Sequence, residues 1–326
     1  MTRSSWALAV GAFGLAMCGV AAAQTAANYP TRPVTIIVRY APGNVTDVLA
    51  RFVAEGLSRE WGQPVTVENR PGMGGSMGAA LARRAPADGY TLLFSAMAAM
   101  AINPHVYSNV GYDALTDFAP LVSVAYPQGV LAVSATVPVK TFPELLAYSK
   151  ANPGELNYAS LGNGTVPHLN FELLKAASGL KAEHVPYKAS SAAATDMVGG
   201  RVHLQQESTS VLLPLVREGR AVALFTSSDK RLADLPDVPT AAEVAPGFTP
   251  LRPWLGLFAL KGTPEDIQAK LETDILKVLN TPQFDERLKL AGMVELGEGR
   301  DAFRKTIEAD YNRLGDLVKQ LGVKVD

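Results

Sequence analysis

The chain has 326 residues, with 30 Lys and Arg against 31 Asp and Glu, a formal net charge of −1 and a single cysteine. A near-neutral, mixed-sign balance leaves no basic stripe for nucleic acid and no cationic face for a membrane surface. The cysteine, Cys18, sits in an N-terminal leader, so the mature chain is expected to lack disulfides, thiolate metal sites and a cysteine nucleophile.

The leader reads as an export signal. Arg3 gives a positive start, Trp6 to Val20 an apolar stretch, and Ala21-Ala22-Ala23 a small-residue cleavage site before Gln24. The apolar run is too short for a transmembrane span, and no later segment approaches one. Met17 is too large for the residue that precedes a lipidated cysteine. Residues 1–23 are therefore expected to be a signal peptide and the protein exported. About 300 residues remain, enough for one large or two medium domains.

Strand-like and helix-like segments then alternate. Val34–Val38 is an apolar strand, and Val45, Val48, Leu49, Phe52, Val53 and Leu57 form a helical stripe. Val65–Val67, a glycine loop "RPGMGGSMG", an Ala-rich helix to about Ala85 and a strand at Tyr90–Ala96 follow. Further strands are expected at Val130–Val133, Leu156–Ala159, Glu183–Val185, Val202–Gln206, Ala221–Thr226 and Trp254–Leu260. Helices are expected at Phe142–Ala151, Val166–Ser178, Ser191–Gly199 and Leu212–Gly219, then from Pro264 to Leu279, Pro282 to Ala291 and Arg300 to Leu321. Such alternation favours an α/β fold with parallel sheets covered by helices. The Pro-bearing stretches "AYPQGV" and "FTPLRPW" are candidate crossovers between two lobes.

Two strand–helix corners stand out. In "RYAPGNVTD", Pro42-Gly43 makes a turn and Asn44 begins a helix, with Asp47 three residues on as its reciprocal capping partner. The second, within "YASLGNGTVPHLNFELL", has Gly162 and Gly164 freeing the backbone, Thr165 as a cap and Pro167 early in the helix. As structure, these are ordinary helix starts. As a site, a helix N-terminus in each lobe suits a carboxylate or phosphate held between them.

These residues also carry a family resemblance. "YAPGNVTDVLAR", "GQPVTVENRPGMGGSMGA", "PADGYTLLFS", "AINPHVY", "YDALTDFAPL", "HVPYK", "LADLPDVPTAAEV" and "GTPEDIQAKL" occur in order, with the second corner between them. The chain resembles the periplasmic solute-binding proteins of tripartite tricarboxylate transporters, the Bug or TctC family, from about Tyr29 to Asp326. The resemblance implies a two-lobed, type II-like periplasmic-binding clamshell with two crossovers. Lobe 1 would comprise residues 24–124 and 250–326, and lobe 2 residues 125–249. It implies a receptor that captures a di-, tri- or aromatic carboxylate in the interlobe cleft and passes it to membrane permease subunits. No catalysis, cofactor or metal is implied, and the protein is expected to be a monomer. Carried over, the loops Pro42–Asp47 and Ser160–His168 would hold one ligand carboxylate; with candidates read from the chain itself, the expected ligand residues are Tyr40, Gly43, Asn44, Thr46, Asp47, Ser95, Ser160, Gly162, Gly164, Thr165, His168, Tyr187 and Glu207. One departure matters: the family usually shows Gly-Gly after the proline and an apolar or aromatic residue before it, where this chain has Gly43-Asn44 and Arg39-Tyr40. Arg39 would either meet a second ligand carboxylate or pair with an acidic side chain such as Glu68. Tyr40 would offer a ring face or hydroxyl, and Asn44 would replace a bridging water.

Competing chemistry is thinner. Gly74-Gly75-Ser76-Met77-Gly78 fits G-x-S-x-G, which makes an exported hydrolase using Ser76 one alternative, but a base and an oxyanion hole are needed too. A ligand sensor for a signalling partner is another. The glycine loop misses a dinucleotide fingerprint at Met77. His105, His168, His184 and His203 lack metal-ligand spacing, and Met97 and Met100 are more ordinary as core than as pocket lining.

Overall fold

In the computed structural model, which describes residues 26–40 and 42–325, the first apolar run is a buried strand, β1 (Val34–Val38). The signal peptide read in residues 1–23 lies outside the described residues. After β1 come α1 (Val45–Trp61), β2 (Val65–Asn69), a 3-10 turn at Met73–Gly75, α2 (Ser76–Ala82) and β3 (Thr91–Ala96). A π-helical segment, Ala98–Ile102, runs into α3 (Asn103–Val106). Next are β4 (Phe118–Pro127), β5 (Gly129–Ser134), α4 (Phe142–Ala151), β6 (Asn157–Ser160), α5 (Val166–Ser178) and β7 (Glu183–Pro186). The chain continues through α6 (Ser190–Val198), β8 (Leu204–Ser208), α7 (Thr209–Arg217), β9 (Ala221–Thr226) and α8 (Ala241–Val244). It closes with β10 (Leu255–Leu260), α9 (Glu265–Leu279), α10 (Pro282–Leu290), β11 (Met293–Glu295) and α11 (Arg300–Leu321).

The strands form two sheets, ordered β11-β4-β10-β3-β1-β2 and β7-β6-β8-β5-β9. Alternate residues of the strands feed opposite faces, as a period of two requires. Ile36, Val38, Leu92 and Phe94 pack beneath Leu49, Val53 and Leu57 of α1 and Ile267 and Leu271 of α9. Ile37 and Leu93 face Ala79 of α2, Met100 of the π-helical segment and Phe303 and Leu314 of α11. In the second sheet Leu131 and Val133 lie against α4 and α5, and Val130 and Ala132 against α6 and α7. Each sheet is thus covered on both sides, and Met97 and Met100 are core residues.

The sheets are mixed, where the alternation predicts parallel ones. β1 runs parallel to β2 and β3, but β10 is antiparallel to β3 and β4. In the second sheet β5 is antiparallel to β8 and β9. The reason is the connection. A parallel neighbour needs a crossover helix, whereas β5 and β10 enter their sheets straight from the other lobe. β4 and β11 are also absent from the sequence-based expectation. Pro120 interrupts the hydrophobic run of β4, and the ladder with β10 shifts register between Leu257 and Phe258, the partner of Pro120. Only Gln128 separates β4 from β5; its N–H donates to Gly292 O at 3.0 Å and its carbonyl accepts from Thr209 N at 2.8 Å. The return to the first sheet runs through 249–254.

Candidate ligand-binding cleft

The corner after β1 is built by Asp47. Gly43 takes φ +85°, a left-handed turn that only glycine adopts without strain, and its N–H donates to Asp47 Oδ2 at 2.9 Å. Asn44 Oδ1 accepts from Thr46 N at 3.0 Å, so it caps α1. The expected reciprocal pair is therefore displaced: Asp47 reaches Gly43, and Asn44 reaches Thr46. Asp47 Oδ1 also accepts from Asn69 Nδ2 at 2.8 Å, and Arg51 donates through Nε to Oδ2 at 3.0 Å and lies 3.0 Å from Oδ1 through its terminal nitrogen. Burial alone would raise the Asp47 pKa; hydrogen bonds from Arg51, Gly43 and Asn69 outweigh it and hold the carboxyl below its ordinary value. Both oxygens are engaged within the first lobe, and the side chain is 3% exposed.

The second corner leaves its helix start open. Thr165 makes no side-chain cap; its hydroxyl donates to Gly162 O at 2.7 Å instead. His168 Nδ1 accepts from Gly164 N at 3.2 Å, and its ring lies 4.3 Å from that of His184, whose Nε2 is 2.5 Å from Ser160 Oγ. Burial first, and His184 second, push the His168 pKa down to about 4, so the ring is neutral with Nδ1 as the acceptor. Gly164 lies against the first lobe: a Cβ there would come within 3.1 Å of Val106 Cγ1 and 3.4 Å of Val323 Cγ1.

Two cavities meet between the sheets and share Tyr40, Leu161, Val166 and Pro167. One, of about 290 Å³, is lined by Tyr126, Asn170, Gln206, Glu207, Ser227 and the 251–253 crossover. The other, of about 560 Å³, is lined by Arg39, Gly74, Asn103, Tyr107, the 161–167 loop and Lys324. Of the residues expected at the site, Tyr40 lines both cavities, Gly162, Gly164 and Thr165 line the larger, and Glu207 lines the smaller. Gly43, Asn44, Thr46, Asp47, Ser95, Ser160, His168 and Tyr187 line neither. Ser95 is fully buried in β3, with no partner for its Oγ among the described residues. Tyr187 donates to Asp196 at 2.9 Å, and Glu207 accepts from Ser190 Oγ at 2.5 Å and from Ser208 N at 2.8 Å.

The sequence reasoning missed Asn170, Gln206 and Ser227. Asn170 is buried on α5 and accepts from Leu251 N at 2.8 Å, tying α5 to the crossover. Gln206 Nε2 donates to Ser227 Oγ at 2.8 Å, while its Oε1 is buried without a partner among the described residues. The available signal was an amide on an otherwise apolar buried face. Arg39 does not pair with Glu68, which bonds Arg70 instead. Arg39 is 2% exposed, donates to the Tyr40 hydroxyl, and has its guanidinium carbon 4.1 Å from the centre of the Tyr40 ring.

Ser76 has no base. It is fully buried, accepts from Asn103 Nδ2 at 2.9 Å and lies 3.2 Å from Tyr112 OH. Among the described residues, no cluster of His, Cys, Asp and Glu could hold a metal ion, and no helix is long and apolar enough to cross a membrane.

A family model described as "Tripartite tricarboxylate transporter family receptor" matches residues 49–323. Protein BugT of Bordetella pertussis is 34% identical over 320 residues, covering 98% of each chain. A solved R. palustris protein with adipate is similar at 33% identity and a TM-score of 0.74, over 91% of this chain and 99% of its own. MatC from Rhodopseudomonas palustris, solved with bound malate, is similar at 28% identity and a TM-score of 0.70, over 89% of this chain and 100% of its own.

Proposed function

This chain belongs to the tripartite tricarboxylate transporter receptor family, and from that premise we propose that its interlobe cleft captures an organic carboxylate without chemical change. Its fold is the two-lobed clamshell of periplasmic solute-binding proteins. The observation that carries the ligand class is the start of α5: no side chain caps it, and Val166 and Pro167 line both cavities. A helix start of this kind carries partial positive charge and leaves its first N–H groups, proline apart, without intrahelical partners, which favours a carboxylate. The adipate and malate carried by the two R. palustris relatives support the same class. Ser76, buried among Asn103 and Tyr112, gives hydrolysis no support.

Family membership supports a wider reading. The protein works in the periplasm as a monomer, with residues 24–124 and 250–326 as lobe 1 and 125–249 as lobe 2, though first-sheet pairing extends to Pro127. It delivers its ligand to permease subunits. A thermal-shift screen of mono-, di- and tricarboxylates, aromatic ones included, tests the ligand class. A true ligand at about 100 times its Kd adds about 2.7 kcal/mol of stability. Failure of every carboxylate to shift the melting curve, or conversion of one into product, overturns the reading.

A further inference from the structure

A buried guanidinium is costly unless an anion or a full set of hydrogen-bond acceptors meets it. Arg39 has neither. Among the described residues, its one hydrogen-bond partner is the neutral Tyr40 hydroxyl, and its Nε and one terminal nitrogen have no partner at all. The space around it is shaped to the side chain: a Cβ on Gly75 would come within 2.8 Å of Arg39 Cδ and Nε. Among the described residues, those lining the larger cavity with Arg39 include a second cation, Lys324, and no carboxylate. The smaller cavity differs, because its arginine, Arg252, is already paired with Asp229.

We propose that Arg39 is a specificity-determining anion subsite for the second acidic group of a dianionic ligand. This rests on the carboxylate reading of the cleft. One acidic group sits at the start of α5 and the other pairs with Arg39. Tyr40 covers the cation when no ligand is bound. On binding, the Tyr40 hydroxyl gives up its bond to Arg39, and the planar fork turns two N–H groups onto the incoming carboxylate. A monoanion of equal length fills the cavity and leaves the guanidinium unmet.

The test is isothermal titration of succinate, adipate, butyrate and hexanoate against the wild type, Arg39→Met and Arg39→Lys. The wild type is expected to prefer a dicarboxylate to its one-headed analogue. Arg39→Met is expected to lose about 10- to 100-fold in dicarboxylate affinity and less than about threefold for the analogue. Arg39→Lys keeps the charge without the fork and is expected to lie between. The ligand-free melting temperature of Arg39→Met is expected to match or exceed the wild type, since an uncompensated buried charge is removed. A lower melting temperature with an unchanged affinity ratio makes Arg39 structural. Equal losses for both ligand kinds, or a wild type that binds only monocarboxylates, also overturn the subsite while leaving the carboxylate receptor intact. If none of the four probes binds the wild type, the subsite falls, and the receptor reading stands or falls with the wider carboxylate screen.

Discussion

Asn69 holds Asp47 and the first binding corner in one grip: its Nδ2 donates to Asp47 Oδ1 and to the Tyr40 carbonyl, each at 2.8 Å. β2 therefore fixes both the start of α1 and the residue that lies over Arg39. These two bonds need no ligand to form, which lowers the ordering cost of binding.

Asp47→Ala strips the acceptor from Gly43 N, Asn69 and Arg51 at a nearly inaccessible position. Loss of such a network costs about 2 to 3 kcal/mol. The expected result is a melting temperature several degrees lower, with ligand affinity, measured by titration below that temperature, changed less than about threefold. An intact melting temperature with a large affinity loss would place this carboxylate at the ligand.

Gly164 and Gly179 have nearly the same backbone, at φ +73° and φ +72°, but only Gly164 has the other lobe against it. Alanine at either costs about 1 to 2 kcal/mol for the left-handed conformation. At Gly164 the added methyl also meets Val106 and Val323. Gly179→Ala is expected to lower stability alone, and Gly164→Ala to weaken ligand binding as well. Equal affinities in the two variants would mean that this contact plays no part in closure.

His168 makes stability pH-dependent. Its pKa is about 4 in the folded chain, lowered first by burial and then by His184, against 6.5 unperturbed. Between these values the unfolded chain binds the extra proton, so stability rises with pH across that window and is lost as pH falls toward 4. Protonation would also set an N–H of the ring against Gly164 N–H. His105, His184 and His203 are lowered in the same direction, each first by burial, so His168→Gln should flatten part of the slope. Thermal melts from neutral to acid pH read this directly, and an unchanged slope in the variant would assign it elsewhere.

Asn170→Leu keeps the bulk and removes the acceptor for the buried Leu251 N–H. An unmet buried donor costs about 1 to 3 kcal/mol. The denaturation midpoint is expected to fall with its slope unchanged. A wild-type midpoint would show that this bond adds nothing to the union of α5 and the crossover.

Much of the fold was legible, because periodicity reports which face of an element is buried. Phe142–Ala151, Val166–Ser178 and Arg300–Leu321 start and stop where proline, glycine and apolar spacing put them. The antiparallel entry of β5 and β10 was not, since strand direction depends on how a lobe is reached. β4 hid behind Pro120, which a bulged ladder tolerates. At the cleft, motif reading found the two corners but could not say which way a side chain faces. Asp47 turns into its own lobe, and Asn170 and Gln206, from an apolar helix face and a strand, turn into the cavity.

The connection through Gln128 is a joint without slack. One residue spans at most about 3.6 Å, and its two backbone groups are fastened to Gly292 on one side and Thr209 on the other. Sheets joined this way can swivel but cannot slide apart along the cleft. Displacement then grows with distance from the fulcrum, so a slight twist at Gln128 is magnified at the rim. On the receptor reading proposed above, such a twist would present a membrane partner with a changed angle between two faces, each unaltered in itself.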